Sequence, residues 1–298
     1  MIVDVALSLL MDSSVRTVAL GAAAVGAVSG AIGSLAVVRR QSLQGDAISH
    51  AALLGAAGAF WLGGRTEFTL ILGAAAAGWV AMTLVGGVTR RSRVPFDTAL
   101  AGAMAVFFGL GLTLISWLQR HAPDAATHGL ERYLFGQAAF IRTGDVETIL
   151  GLGGAAVAVL ILGWKEFKLI SFDADFASSL GIAVRRTEWL LTLLIVVAVV
   201  IGLQTVGVVL MSTLIVAPGV AARFWCHQLE RLTLLAAGFG AVSGWLGTFF
   251  SLVFDRWLNR SVPPGPTIVL VATGIVLVSL LLASAGLLRV RPRIQSES

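Results

Sequence analysis

The polar and apolar positions of this chain alternate on the scale of whole helices, because long uncharged runs are separated by short charged segments. A helix that crosses a bilayer needs roughly 20 mostly apolar residues, and charged side chains are costly in the hydrocarbon. The sequence therefore predicts a helical membrane protein. Seven uncharged runs have the length of one span each: Thr17–Val38, Ala47–Gly64, Phe68–Thr89, Thr98–Gln119, Thr148–Trp164, Leu232–Phe254 and Thr267–Leu288.

The run Trp189–Ala222 is too long for one span. At 1.5 Å per residue it would form a helix of about 51 Å, whereas the hydrocarbon layer is about 30 Å thick. The polar, glycine-containing segment Gly202–Gly207 is the predicted break, giving one full span and then a shorter or re-entrant helix that ends near Pro218. Broken helices usually line a cavity, since their freed backbone groups need polar partners.

The predicted fold is an all-α integral membrane protein, a polytopic bundle of eight or nine transmembrane segments that forms a single domain over residues 1–298. Placing the N-terminus outside and counting the broken run as two crossings puts most Lys and Arg residues on the cytoplasmic side, as the positive-inside rule requires. The C-terminus and the loop 165–188 are then cytoplasmic, and the loop 120–147 is external. The N-terminal residues lack a basic segment, so no cleaved signal peptide is expected.

Composition agrees with this class. Hydrophobic residues make up 57% of the chain and charged residues 12%, against about a quarter charged in soluble domains, which excludes a large soluble catalytic domain. One cysteine excludes a disulfide framework and a multi-thiolate metal site. The net charge is +5, but no basic surface interleaved with aromatic residues indicates a nucleic-acid partner.

A candidate metal site follows the first predicted span, where Asp46 and His50 stand four residues apart. Residues four apart share one face of a helix, so a carboxylate oxygen and an imidazole nitrogen could bind one divalent cation. Alternatively, Asp46 caps the start of a helix and His50 hydrogen-bonds locally. From these residues alone, a cap is the favoured interpretation of Asp46, and the role of His50 stays open.

A second candidate lies in the charged cytoplasmic loop, which keeps apolar residues at helical spacing. Asp173 is predicted to cap a short helix over Ala174–Leu180, and Gly181 to end it in the left-handed conformation. A stripe of apolar residues spaced by four would lie along this helix: Phe172, Phe176 and Leu180. Such a stripe suits either docking into a groove of another protein or resting on lipid headgroups.

Other residues with ligand chemistry have simpler interpretations. Cys226 and His227 point about 100° apart on a helix, which favours an interfacial pair over a metal site. His121, His128 and Asp124 lie in the external loop, where a solvated loop is favoured over a role in accepting metal. Asp97 is predicted to be the N-cap of the fourth span.

Several activities are excluded by missing motifs. The only lysines, Lys165 and Lys168, do not complete a Gly-x-x-x-x-Gly-Lys-Ser/Thr loop, so this chain does not hydrolyse ATP by that route. No His-Glu-x-x-His zinc-protease motif occurs. Within the predicted spans no second ionisable residue accompanies His50, whereas a proton-coupled carrier usually needs a relay.

Five stretches resemble the integral-membrane permease subunits of bacterial ABC importers for divalent metals, the zinc, manganese and iron uptake systems. In chain order, the stretches are Arg40-Gln-Ser-Leu-Gln-Gly-Asp46-Ala-Ile-Ser-His50-Ala, Phe96-Asp97-Thr98-Ala99, Tyr133-Leu-Phe-Gly136, Phe172-Asp-Ala-Asp-Phe-Ala177 with Leu180-Gly181, and Val206-Gly207-Val-Val-Leu210 with Val216-Ala-Pro218-Gly-Val-Ala-Ala-Arg223. Together they run through most of the chain.

The resemblance implies a type II ABC importer-like permease in the bacterial cytoplasmic membrane. It implies a homodimer around one central pathway, two cytoplasmic ABC ATPase subunits and an extracytoplasmic metal-binding protein. No resident cofactor is implied, since the metal ion is the substrate. Asp46 and His50 would contact the metal. The residues that couple the permease to the ATPase would be Phe172, Asp173, Asp175, Phe176, Ala177, Leu180 and Gly181.

Two other classes remain as alternatives. A stand-alone secondary cation carrier or channel would need its own coupling residues and no docking helix. A membrane-embedded enzyme would need a nucleophile and a base, and the sequence offers no such pair.

Overall fold

A computed structural model describes residues 12–64, 66–121, 143–258 and 262–286. Within these ranges, the helices in chain order are α1 Ser13–Val38, α2 Gln44–Trp61, α3 Glu67–Arg91, α4 Phe96–His121, α5 Thr143–Leu162, α6 Trp164–Phe172, α7 Ala174–Ser179, α8 Val184–Val206, α9 Val208–Arg223, α10 Leu229–Leu258 and α11 Pro264–Ser284. The described residues contain no strand, and the predicted all-α class is confirmed.

Seven of the described helices are long and apolar enough to cross a membrane: α1, α3, α4, α5, α8, α10 and α11. This number is lower than the eight or nine predicted. The difference lies in α2, an 18-residue helix that carries Asp46 and His50, and in α9, which has 16 residues. Both nevertheless pack inside the bundle, α2 against α3 and α4, and α9 against α1 and α11.

The predicted break in the long uncharged run is confirmed at Gly207, which separates α8 from α9. Its φ of +89° lies in the region that favours glycine. The shorter helix does not end near Pro218 as predicted. It continues to Arg223 with Pro218 inside it, a position that packing in a membrane bundle tolerates.

Contacts along α1 show that α9 runs in the same direction as α1. Ile215 lies against Gly33, and Gly219, one turn later, lies against Ser34 and Val37. Helix α8 runs the opposite way, because Glu188 near its start binds Arg39 after α1 and Gly202 near its end lies against Val25. The chain therefore reverses at Gly207. The broken run therefore passes through the bundle twice.

Glycines bring α1 and α10 into direct backbone contact. A Cβ added at Gly26 would overlap the carbonyl oxygen of Gly240, and one at Gly244 would overlap the carbonyl of Ala22. Small residues allow this approach where lipid supplies no hydrophobic drive for helix association. Along this seam, Ser34 Oγ and Thr233 Oγ1 lie 2.9 Å apart in a buried hydrogen bond.

Charged side chains collect at one end of the bundle. Arg39, just after α1, donates a 2.8 Å hydrogen bond from Nη2 to Glu188 Oε1 in α8. Lys168 Nζ in α6 lies 2.5 Å from Glu230 Oε1 in α10. The positive-inside rule predicts that this end faces the cytoplasm, and the orientation of the bundle stays a prediction.

Candidate metal site and coupling helix

Asp46 and His50 form a pair on one face of α2. Asp46 Oδ1 lies 3.4 Å from His50 Nε2, and the two side chains are 29% and 15% exposed. The same-face geometry predicted from the spacing is therefore present. A carboxylate and an imidazole nitrogen at this separation suit zinc or manganese as ligands.

The interpretation of Asp46 as a helix cap is wrong. Helix α2 begins at Gln44, its N-cap is Leu43, and no side chain makes the capping hydrogen bond. The tight turn before the helix, in which Arg40 has a φ of +57°, lets the helix begin ahead of Asp46. Asp46 lies in the first turn instead, where its carboxylate is free to face His50.

Only one of the two ring nitrogens of His50 has a polar partner. Its ring packs edge-on against Phe108 of α4, with centroids 4.5 Å apart. Its Nδ1 is buried and has no hydrogen-bond partner, while Nε2 faces Asp46. An imidazole that binds a metal usually donates its other N–H to an acceptor, and this conformation supplies none for Nδ1.

Asp46 opens onto a cleft of about 390 Å³ between α2, α9 and α11. Its lining includes Ser42, Leu43 and Asp46 from the α2 side, Ser212, Thr213, Val216, Ala217 and Val220 from α9, and Thr273 and Val276 from α11. The pair itself offers two ligands. Among the described residues, no group of three or more His, Cys, Asp or Glu side chains could hold a metal ion.

The coupling helix has both of its predicted end signals. Asp173 caps α7 by accepting a 2.8 Å hydrogen bond at Oδ1 from the backbone N–H of Phe176. Gly181 follows the helix with a φ of +81°. The N–H groups of Gly181 and Ile182 donate to the carbonyls of Ser178 and Ala177, which is the Schellman arrangement. The helix ends at Ser179, one residue before the predicted end.

The three apolar residues of the predicted stripe are exposed: Phe172 by 64%, Phe176 by 53% and Leu180 by 57%. They do not lie on one helix. Phe172 ends α6, and Asp173 leaves helical geometry, with φ −152° and ψ 100°, in order to cap α7. Ala177 is fully buried, whereas Asp175 is exposed in the first turn. The segment thus rests on the bundle through Ala177 and presents an apolar surface outward.

Two ion pairs lie at this end of the bundle. Lys168 of α6 binds Glu230, and both side chains are about half exposed. Arg39, which is only 10% exposed, binds Glu188 in the second turn of α8. Helix α8 follows α7, while Arg39 precedes the turn that leads to Asp46. The second pair therefore connects the turn before α2 with the start of α8.

The remaining ligand candidates are not assembled into a site by the described residues. The Cys226 thiol contacts the carbonyl of Ala222 at 3.8 Å. Burial raises the pKa of Cys226, although Arg231 opposes this, and so disfavours the thiolate that binds metal. His121 stacks on Trp117 at the end of α4. His128, Asp124 and the Tyr133–Gly136 stretch lie outside the described residues.

The sequence did not point to several residues at these sites. Phe108, Ser212 and Thr213 come from helices remote in sequence, and only folding brings them to α2. The adjacent hydroxyls in the otherwise apolar α9 were the available signal. Asp97, predicted as an N-cap, lies in the first turn of α4, which begins at Phe96.

Comparisons with known proteins identify the family. The model of the ABC 3 transport family matches residues 11–283. The zinc transport system membrane protein TroC of Treponema pallidum (strain Nichols) is 44% identical over 92% of this chain and 90% of that protein. The manganese transport system membrane protein MntC of Bacillus subtilis (strain 168) is 38% identical over 92% of this chain, which spans 62% of that protein's length.

A solved structure has the same architecture. In PsaBC from Streptococcus pneumoniae, determined in complex with Fab, one chain superimposes with a TM-score of 0.80 at 28% identity. The match covers 94% of this chain and 95% of that chain. The chain belongs to the ABC 3 transport family and is a multi-pass permease of the cytoplasmic membrane. Membership of an ABC transporter family implies ATPase and substrate-binding partners.

Proposed function

We propose that this permease carries divalent zinc or manganese ions into the cytoplasm, driven by ATP hydrolysis on a partner subunit. The observation that carries the proposal is the Asp46–His50 pair, 3.4 Å apart within a membrane bundle, with Asp46 opening onto a cleft. Ionisable residues inside membrane bundles usually mark ion pathways. Two relatives named above are zinc and manganese systems, whereas neither is named for iron, and iron is left out of the proposal.

The pair supports assembly of two permease copies. One copy offers a carboxylate and an imidazole, and a bound transition metal takes four or more ligands. A second copy facing the same cleft would supply an identical pair and complete the site. A homodimer around one pathway follows, with Asp46 and His50 of each copy as the metal ligands.

The coupling segment supports an ATPase partner. Phe172, Phe176 and Leu180 are exposed at the end of the bundle where the basic residues collect, and Asp173 and Gly181 fix the short helix between them. A rigid helix with an apolar face suits insertion into a protein groove. The ATPase would seat on this surface, and an extracytoplasmic protein would deliver the metal at the opposite end.

The proposal is tested by reconstituting the permease with the ATPase that co-purifies from its native membrane. We expect vesicles to accumulate zinc or manganese only when ATP and the loaded binding protein are present. Asp46→Ala and His50→Ala should reduce uptake to background while the permease remains inserted and dimeric. Asp97→Ala, which removes an exposed carboxylate from α4, is the matched control and should transport normally.

Two outcomes would contradict the proposal. Uptake driven by an ion gradient without ATP would instead establish a secondary carrier. Wild-type uptake by both the Asp46→Ala and the His50→Ala variants would remove the pair from the pathway.

A further inference from the structure

Helix α9 places two adjacent hydroxyls on the wall of the cleft that Asp46 faces. Ser212 and Thr213 are both half-buried and line it. Val216 and Val220 follow at helical spacing and line the same cleft. The polar part of this wall is therefore confined to Ser212 and Thr213.

Hydroxyls in apolar helices usually donate to a backbone carbonyl three or four residues earlier. This bond is present for most buried serines and threonines of the bundle, among them Ser34, Ser49, Thr205, Ser243, Thr248 and Thr267. Ser212 and Thr213 differ, because neither makes a hydrogen bond with any residue that the structure describes. Their hydroxyls are free for a ligand in the cleft.

The contact between α9 and α2 shows how deep in the bundle these hydroxyls lie. Ile215 lies against Gly45, the neighbour of Asp46. Helix α9 begins at Val208 and ends at Arg223, and because it runs in the same direction as α1, its start lies at the end opposite Arg39. Ser212 and Thr213 precede Ile215 by three and two residues, which is up to one helical turn. They therefore lie on the outer side of Asp46 along the cleft.

We infer that Ser212 and Thr213 form a neutral-oxygen binding site for the transported divalent cation, ahead of Asp46 on the route inward. This inference rests on the proposed function, since it assumes that the cleft carries the ion. Hydroxyl oxygens replace part of the ion's hydration shell without the strong charge attraction of a carboxylate. A pathway needs such weaker sites, because an ion must bind well enough to enter and weakly enough to leave.

The first test removes the hydroxyls with little change in shape. The double variant Ser212→Ala with Thr213→Val is compared with Ser243→Ala with Thr248→Val, whose hydroxyls bond within α10. Initial manganese uptake is measured in vesicles that contain the complete transporter. We expect at least a tenfold loss of rate at subsaturating manganese for the first variant, because it removes two oxygen contacts with a charged ion. The control variant should transport normally.

The second test replaces the weak oxygen by a soft ligand. In a Cys226→Ser background, Ser212→Cys places a thiol in the cleft, and cadmium prefers thiolate ligands. Manganese uptake by this variant should be inhibited at about tenfold lower cadmium than uptake by the background. Ser243→Cys, at a fully buried position, should leave the sensitivity unchanged.

The outcomes separate this inference from the proposed function. If Asp46→Ala abolishes uptake while the hydroxyl variants behave like their controls, the inference fails and the metal importer stands. If Asp46→Ala also transports normally, the proposed function itself fails. Lower manganese uptake together with cadmium sensitivity at Ser212→Cys supports a binding site, because a merely structural defect would not create sensitivity to a soft metal.

Discussion

The Asp46–His50 pair and the coupling helix α7 break opposite rules of residue placement. The pair puts ionisable side chains into an apolar bundle, whereas Phe172, Phe176 and Leu180 expose large apolar groups outside it. They also differ in how they are built. Helix α7 carries its own end signals within nine residues, from Asp173 to Gly181, while the surroundings of the pair come from α4, α9 and α11. A docking element is thus specified locally, and an ion site only by the assembled bundle.

The sharpest separation of the two regions is the Phe176→Asp variant. A charge placed in the apolar contact would cost several kcal/mol, so we expect the ATPase to dissociate and uptake to stop. Metal binding by the isolated permease should persist. Leu62→Asp, which alters an 82% exposed residue after α2, is the control and should retain the ATPase. Co-purification and normal stimulated ATP hydrolysis with Phe176→Asp would show that α7 does not couple ATP hydrolysis to transport.

The connection between the regions is tested at the Arg39–Glu188 ion pair. Arg39→Glu places two carboxylates together at a largely buried position, and we expect about a tenfold loss of ATP-driven uptake. The swap Arg39→Glu with Glu188→Arg should recover most of it, with ATPase binding unchanged throughout. Arg185→Glu, at an exposed position in α8, is the control. Failure of the swap to recover uptake would mean that the pair does not couple the two sites.

Removing the N-cap of α7 should have a smaller effect on ATPase binding than Phe176→Asp. Asp173→Ala removes the hydrogen bond to the Phe176 amide, a loss of about 1 kcal/mol. ATPase affinity should fall by about fivefold, measured by titrating the ATPase onto immobilised permease, without a change in thermal stability. Asp175→Ala removes a neighbouring exposed carboxylate and should have less effect. Equal losses for both variants would point to charge, not capping.

The weakest contact tested is the one between His50 and Phe108. Phe108→Leu removes the edge-on ring contact, a loss of about 1 kcal/mol, so manganese affinity should fall by a few-fold while ATPase binding is unchanged. Phe107→Leu in the same helix is the control. An altered ATPase affinity in Phe108→Leu would mean that the two regions are not separately built.

Local patterns predicted the elements well. Uncharged runs located the helices, length against bilayer thickness located the break at Gly207, and Asp173 with Gly181 located α7. The start of α2 was misjudged, because Asp46 satisfies a cap pattern while the turn before it allows the helix to start at Gln44. A cap and a metal ligand use the same residue type, so spacing alone does not separate them.

The sequence pattern does not show which helices are buried in the centre of the bundle. Helices α1 and α4 are both 26 residues long and strongly apolar, yet 78% of the most apolar stretch of α1 is buried against 17% for α4. Lipid is as apolar as a leucine side chain, so hydropathy does not distinguish the centre of a bundle from its rim. The cleft beside Asp46 depends on this sorting.

The backbone contact between Gly26 and Gly240 has a mechanical consequence. With no side chain between the two helices at these positions, little can slide or repack there. We therefore expect α1 and α10 to move together as one unit. Any change of shape during transport would then occur at the turns between other helices. We expect the backbone to rotate at the glycines at 181 and 207, each of which has a positive φ beside a short helix.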